Sequence, residues 1–271
     1  MCDSTTDYGL LSVVVPLFNE AKNVQPLVNA IERALNQFEY ELILVDDGST
    51  DDTFEQLKLL THSHCVVLRL KYNYGQSMAL ALGIDEAKGN YIATIDGDLQ
   101  NDPADIPKLI DKAHNEQWDI VSGIRAKRQD SFWKTIPSNL ANTLIRKLTK
   151  IDIKDHGCAL KVITKKTAKN LPLHKGMHRF ICLLAILNDA RVTQVAIRHN
   201  ARQSGMSKYG LERTFKVIND IFTLLIWQKF KQNSYSCIGL LLLRNQRRSV
   251  QIPHYTRYKT NTKAFSNKGQ C

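Results

Sequence analysis

The chain has 271 residues, 43% hydrophobic, 23% charged and 8% aromatic. That suits one or two globular domains and excludes global disorder, a collagen-like fibre and a disulfide-stapled miniprotein. Its formal charge of +11 is unevenly spread: eight of the 37 Lys and Arg lie in residues 231–271, which hold no Asp or Glu, leaving 29 basic against 26 acidic residues in 1–230. A basic tail on a nearly balanced body favours an anionic partner such as a membrane surface. With no binding motif beside it, it speaks against specific nucleic-acid recognition.

The six cysteines (Cys2, Cys65, Cys158, Cys182, Cys237, Cys271) are scattered, with no C-x-x-C pair. Neither a zinc site nor a disulfide framework is expected. The polar start, Met1 to Asp7, is unlike a signal peptide and points to a reducing, cytosolic setting. The longest apolar stretch of the tail, Cys237–Leu243, is far short of the ~20 residues that cross a bilayer. No transmembrane helix is expected.

Along the chain, short β-rich runs alternate with helical stripes, the pattern of a mostly parallel sheet flanked by helices. Strands are predicted at Leu11–Pro16, Glu41–Asp46, Cys65–Leu70, Tyr91–Asp96 and Asp119–Gly123. Helices are predicted at Val24–Asn36, Asp51–Leu60, Gln76–Ala87 and Ile106–His114. Later the alternation loosens into a helix at Phe132–Leu148, a strand at Cys158–Ile163, a short helix at Arg179–Leu187, a strand at Val192–Ile197 and a long helix at Leu211–Phe230. The last has an apolar face suited either to a lipid interface or to packing on the sheet. Residues 1–230 read as one domain, and 231–271 as a basic, pattern-poor tail.

Two predicted strands end in acidic, glycine-containing turns, at the edge where open α/β sheets bind ligands. Asp96-Gly97-Asp98-Leu99-Gln100 offers two carboxylates and an amide oxygen to a hard cation, Mg²⁺ or Mn²⁺, of the kind shared with substrate phosphates. Asp46-Asp47-Gly48-Ser49 can accept from base or ribose groups, or simply cap the next helix. Pro16-Leu17-Phe18-Asn19-Glu20 stands where a dinucleotide binder would carry G-x-G-x-x-G, and no phosphate-loop motif occurs elsewhere. Arg125, Arg128 and Lys134, and the loop Arg202–Tyr209, supply cations suited to phosphate oxygens.

Taken in order, Pro16–Glu20, Asp46–Ser49, Asp96–Gln100, Gly123–Arg125 with Arg128 and Asp130, Asp155–Cys158 and Arg202–Tyr209 resemble glycosyltransferase family 2. The likeness is to its group that loads sugars onto polyprenyl phosphate, the dolichol-phosphate mannosyltransferase and bactoprenol-phosphate glucosyltransferase enzymes. It spans roughly residues 10–230 and implies a nucleotide-diphospho-sugar transferase (GT-A) fold. It further implies transfer with inversion from a UDP- or GDP-sugar to a polyprenyl phosphate at the cytoplasmic membrane face.

Under that resemblance Pro16, Phe18 and Glu20 line the nucleotide pocket and Asp46 or Asp47 contacts the base. Asp96, Asp98 and Gln100 hold Mg²⁺ or Mn²⁺ against the donor diphosphate. Arg125, Arg128 and Lys134 face the acceptor phosphate, while Arg202, Ser207 and Lys208 face the donor diphosphate or close over it; these two assignments are interchangeable. Asp155 orients the acceptor, and His156 and Cys158 pack or cap. Members of this group usually continue into transmembrane helices, which this sequence lacks, so the expectation is a peripheral or a soluble protein. Transfer to a saccharide or protein hydroxyl, and a silent binding module, are the competing readings.

Overall fold

The computed structural model describes residues 8–60, 64–125, 153–173, 176–200 and 253–259. The predicted helices at Phe132–Leu148 and Leu211–Phe230, and Arg128, Lys134, Arg202, Ser207 and Lys208, lie outside them. The described residues form an eight-stranded mixed sheet, β7-β5-β6-β4-β1-β2-β3-β8. Its strands are β1 (Leu11–Leu17), β2 (Tyr40–Asp46), β3 (Cys65–Leu70), β4 (Tyr91–Thr94), β5 (Ile120–Arg125), β6 (Lys161–Thr164), β7 (Val192–Ile197) and β8 (Tyr255–Lys259). The helices are α1 (Val24–Ala34), α2 (Thr53–Lys58), α3 (Gln76–Glu86), α4 (Ile106–Asn115), α5 (Lys165–Lys169) and α6 (Ile181–Ile186).

The central strands read as continuous apolar runs because helices cover both faces of the sheet. All seven residues of β1 are buried, and successive side chains alternate between faces. Val13, Val15 and Leu17 join Leu27, Ile31 and Leu109 of α1 and α4 in one core. Val14, Ile43 and Val45 join Leu80 and Ile84 of α3 and Leu183 of α6 in the other.

Four of the seven strand pairings are parallel. β1 lies between β2 and β4, so the winding reverses at the β1/β4 boundary, the place where a ligand crevice opens in such sheets. Proline at position 16 fits that boundary. The Val14 carbonyl accepts Ile95 N–H, so even-numbered residues of β1 direct their backbone toward β4. The β1–β4 register ends at Val14. Pro16 therefore lacks its N–H where β4 is no longer paired.

Three features depart from the sequence pattern. The strand predicted over Cys158–Ile163 is Lys161–Thr164 and runs antiparallel to both β4 and β5. A short helix, α5, follows it without a break. Within the pattern-poor 231–271 region, Tyr255–Lys259 is an antiparallel edge strand on β3, where Arg257 pairs with Glu86 at 3.0 Å and Tyr258 packs edge-on to Phe54. Among the described residues, no helix is long and apolar enough to cross a membrane.

Candidate active site

Past the ends of β1, β2 and β4 lies a cleft of about 400 Å³, lined by Pro16, Phe18, Glu20, Asp47, Asp96 and Asp98 together with Leu17, Asn73, Gly75, Gln76 and Gly97. Four segments distant in sequence thus share one wall system. The β1 exit is fixed by backbone donors: Asn19 N–H bonds Ser49 Oγ at 3.0 Å and Glu20 N–H bonds Thr53 Oγ1 at 2.8 Å. These bonds tie the two motif loops together, and Asn19 turns through φ 56° to make them.

The two aspartates after β2 divide their roles. Asp46 is fully buried and not part of the cleft wall; its Oδ1 accepts Ser49 N–H at 2.9 Å and its Oδ2 faces Arg69 Nε at 3.4 Å. Asp47 lines the cleft. Its oxygens accept Tyr74 N–H at 2.8 Å and Gly75 N–H at 2.9 Å. Burial raises its carboxyl to about 6, against those two N–H groups, which favour the ionised form; neighbouring Asp46 adds to the rise.

Asn73, Gly75 and Gln76 were not expected on the cleft. Their only sequence signal is a polar, glycine-containing turn between β3 and α3. Gly75 adopts φ 95°, ψ 155°, a region essentially restricted to glycine, and this aims its N–H at Asp47. Gln76 Nε2 donates to Asp96 Oδ1 at 2.6 Å, so the same turn braces both acidic walls.

The acidic loop after β4 presents Asp96, half-buried, and Asp98, 7% exposed, on one wall. A Cβ on Gly97 would collide with Leu17 Cδ2, so glycine lets the loop lie against β1. Asp98 Oδ1 accepts Gln100 N–H at 3.2 Å, and the Gln100 carbonyl accepts Asn200 N–H at 2.8 Å. Gln100 therefore braces the loop through its backbone, and the cleft wall stops at Asp98. Arg198 clamps the same loop from β7, reaching Asp102 at 3.1 Å and Asp105 at 3.3 Å.

This donor set fits a divalent cation: two hard carboxylates stand on one wall of a cleft roomy enough for phosphates. No group of three or more His, Cys, Asp or Glu suited to a metal occurs among the described residues.

On the other sheet half, Arg125 closes β5 and grips Asp155 through two bonds, Nε–Oδ2 at 2.7 Å and Nη2–Oδ1 at 2.8 Å. Both side chains are mostly buried. Arg125 N–H reaches Oδ2 at 3.4 Å, and Gly157 N–H adds a further bond to Asp155 Oδ1 at 3.1 Å. Arg125 and Asp155, expected separately against an acceptor phosphate and as its orienting group, are thus partners. Cys158 is buried, and burial pushes its thiol up to about 11, which suits packing and not nucleophilic chemistry.

The fold is the one seen in GT-A glycosyltransferases. Glucosyl-3-phosphoglycerate synthase from Mycobacterium tuberculosis, in complex with phosphoglyceric acid, has the same fold with a TM-score of 0.65 at 18% identity, over 83% of this chain and 81% of that one. The same enzyme with Mn²⁺, UDP-glucose and phosphoglyceric acid gives 0.64 at 18% identity, over 82% and 81%. The family model described as Glycosyl transferase family 2 matches residues 12–171. Dodecaprenyl-phosphate galacturonate synthase of Rhizobium johnstonii is 41% identical over 239 residues, 85% of this chain and 71% of that protein. Undecaprenyl-phosphate 4-deoxy-4-formamido-L-arabinose transferase of Yersinia pestis is 34% identical over 220 residues, 79% and 67%. The chain belongs to glycosyltransferase family 2 and is a glycosyltransferase.

Proposed function

We propose that the chain moves a sugar from a UDP- or GDP-linked donor to a polyprenyl phosphate, with inversion, as a peripheral protein at the cytoplasmic membrane face. The observation that carries this reading is the convergence of Pro16, Phe18, Glu20, Asp47, Asp96 and Asp98 on one cleft. Relatives named for dodecaprenyl- and undecaprenyl-phosphate transfer support the acceptor class. Their sugars differ, so the sugar here is not set by likeness alone.

In this reading Phe18 and Pro16 bound the base pocket and Asp47 accepts from a base N–H. Asp96 and Asp98 hold Mg²⁺ or Mn²⁺, with Gln100 fixing the loop behind them. A bound divalent ion supplies electrostatic stabilisation of the charge that builds on the departing diphosphate. Arg202, Ser207 and Lys208 are assigned to the donor diphosphate by the sequence resemblance. Arg128 and Lys134 are assigned to the acceptor phosphate, and the Arg125–Asp155 pair fixes the end of β5. The basic 231–271 segment favours an anionic bilayer surface, where each Lys or Arg contributes ~1 kcal/mol.

In the reaction, an acceptor phosphate oxygen bonds to the anomeric carbon as the bond from that carbon to the diphosphate oxygen breaks. The electron pair leaves with the nucleoside diphosphate. A phosphate is already anionic at neutral pH, so no proton has to be removed. This matters for the rival reading: a hydroxyl acceptor needs a general base, and both Asp155 oxygens are engaged by Arg125. Asp155 is better built to position than to deprotonate.

The test is transfer from labelled UDP- and GDP-sugars to a short-chain polyprenyl phosphate in detergent, with the free polyprenol and simple saccharides as alternative acceptors. Acid-labile lipid-phosphate sugar formed only with the phosphorylated acceptor is the expected product. Label appearing on the hydroxyl acceptors instead would overturn the assignment.

A further inference from the structure

Asp96 has a second face. Behind it lies a smaller cavity of about 90 Å³, lined by Gln76, Asp96, His156, Lys161, His178 and Arg179 among others. At roughly 10–15 Å³ per water-sized probe, it admits a few polar atoms, such as one end of a hexose, and no nucleobase. Asp96 is common to both spaces, so a sugar attached to a diphosphate in the larger cleft has this cavity as its neighbour.

The lining is unusual for its charge. Lys161 is 2% exposed, and its ammonium bonds the Cys158 carbonyl. No carboxylate lies within 4.0 Å of its Nζ among the described residues. A buried ammonium without a counter-ion is costly, and the cavity it borders is where one would fit. His178 adds a donor. Ser77 Oγ accepts His178 backbone N–H at 3.2 Å and meets Nδ1 at 2.7 Å. With the hydroxyl donating to Nδ1, the ring proton falls on Nε2. Arg179 contributes a half-buried guanidinium. Among the described residues, Asp96 is the one carboxylate on the lining, and it already accepts from Gln76.

We propose that this cavity is the sugar subsite and that Lys161, with His178 and Arg179, selects a donor sugar carrying a carboxylate, a uronate. The inference rests on the donor-cleft reading and deepens it. A charge-assisted bond to the carboxylate would be made in a place from which water is largely excluded, whereas a neutral hydroxymethyl group would leave the ammonium unanswered.

The experiment compares calorimetric binding of UDP-galacturonate with UDP-galactose, and of GDP-mannuronate with GDP-mannose, in the presence of Mn²⁺, with UDP and GDP as references. Each pair differs only by carboxylate against hydroxymethyl. Wild type is expected to bind one uronate at least ~10-fold tighter than its neutral partner, and Lys161→Met to bring the ratio near 1. The methionine replaces the buried charge with an apolar side chain of similar length, losing only the bond to the Cys158 carbonyl. Arg179→Gln, on a half-buried side chain, gives a second reading of the ratio should Lys161→Met not fold.

Equal affinities within both pairs, or a preference that survives both variants, would overturn the subsite while leaving nucleotide binding intact. Failure of folded protein to bind UDP and GDP at all would remove the donor cleft and this proposal together. The two failures are therefore distinguishable.

Discussion

The two halves of the sheet hold their functional groups in different ways. On the β1–β2–β4 side, each acidic side chain is fixed mainly by backbone N–H groups or a neighbouring amide: Asp47 by Tyr74 and Gly75, Asp98 by Gln100, Asp96 by Gln76. On the β5–β7 side, side chains fix one another across long sequence separations, Arg125 with Asp155 and Arg198 with Asp102 and Asp105. Backbone N–H groups set the position of these carboxylates along the cleft, whereas the ion pairs lock loops to one another. Under the proposed function the first half receives the donor and the second braces its surroundings.

Breaking the ion-paired half should have the largest effect on stability. Asp155→Ala strands a mostly buried guanidinium, and denaturant titration should show a loss of about 3–5 kcal/mol. Replacing both partners, with Arg125→Met and Asp155→Leu, should recover much of that loss. A cost under 1 kcal/mol for the single variant would show that the pair is not structural.

On the donor half, Gly75→Ala meets no neighbouring atom, so its whole cost is backbone strain, about 1–3 kcal/mol. Because Gly75 N–H holds Asp47, nucleotide affinity should fall with it. Unchanged affinity at reduced stability would separate the turn from the site.

The pH response sharpens the contrast further. Asp47 has a folded-state pKa of about 6, above its ordinary 3.8. The native state therefore takes up a proton that the unfolded chain does not, and its ionised form costs stability that returns as pH falls through about 6. Nucleotide affinity should move the opposite way, weakening below pH 6, because a base N–H needs the carboxylate. Asp47→Asn should abolish that step in a binding titration. The smallest effect belongs to the β8 edge: Arg257→Ala should cost no more than about 1 kcal/mol in thermal unfolding, because its guanidinium is 39% exposed.

What could be read from the sequence follows the same division. The strands ending at Leu17, Asp46 and Thr94 are local apolar runs closed by turn residues, so their carboxyl ends and the motifs on them were legible before any contact was known. Which aspartate of the pair faces the cleft was not, because this depends on Tyr74 and Gly75 arriving from β3. The antiparallel direction of β6 and the pairing of Arg125 with Asp155 depend on partners roughly thirty or more residues away, which no local period reports. β8 is an edge strand whose Tyr255, Arg257 and Tyr258 are only partly covered, so it lacks the alternation that marks a half-buried strand. Lys161 sat unnoticed inside an apolar run, where its burial, visible only in the fold, is what gives it meaning.

We propose that the cleft at β1, β2 and β4 is a metal-assisted nucleotide-donor site. Calorimetric titration of wild type and Asp98→Ala with UDP and GDP, with and without Mn²⁺, tests it most directly. One nucleotide is expected to bind with Mn²⁺, and this binding to be lost in the variant. Binding indifferent to both Mn²⁺ and Asp98, or none by folded protein, would contradict it.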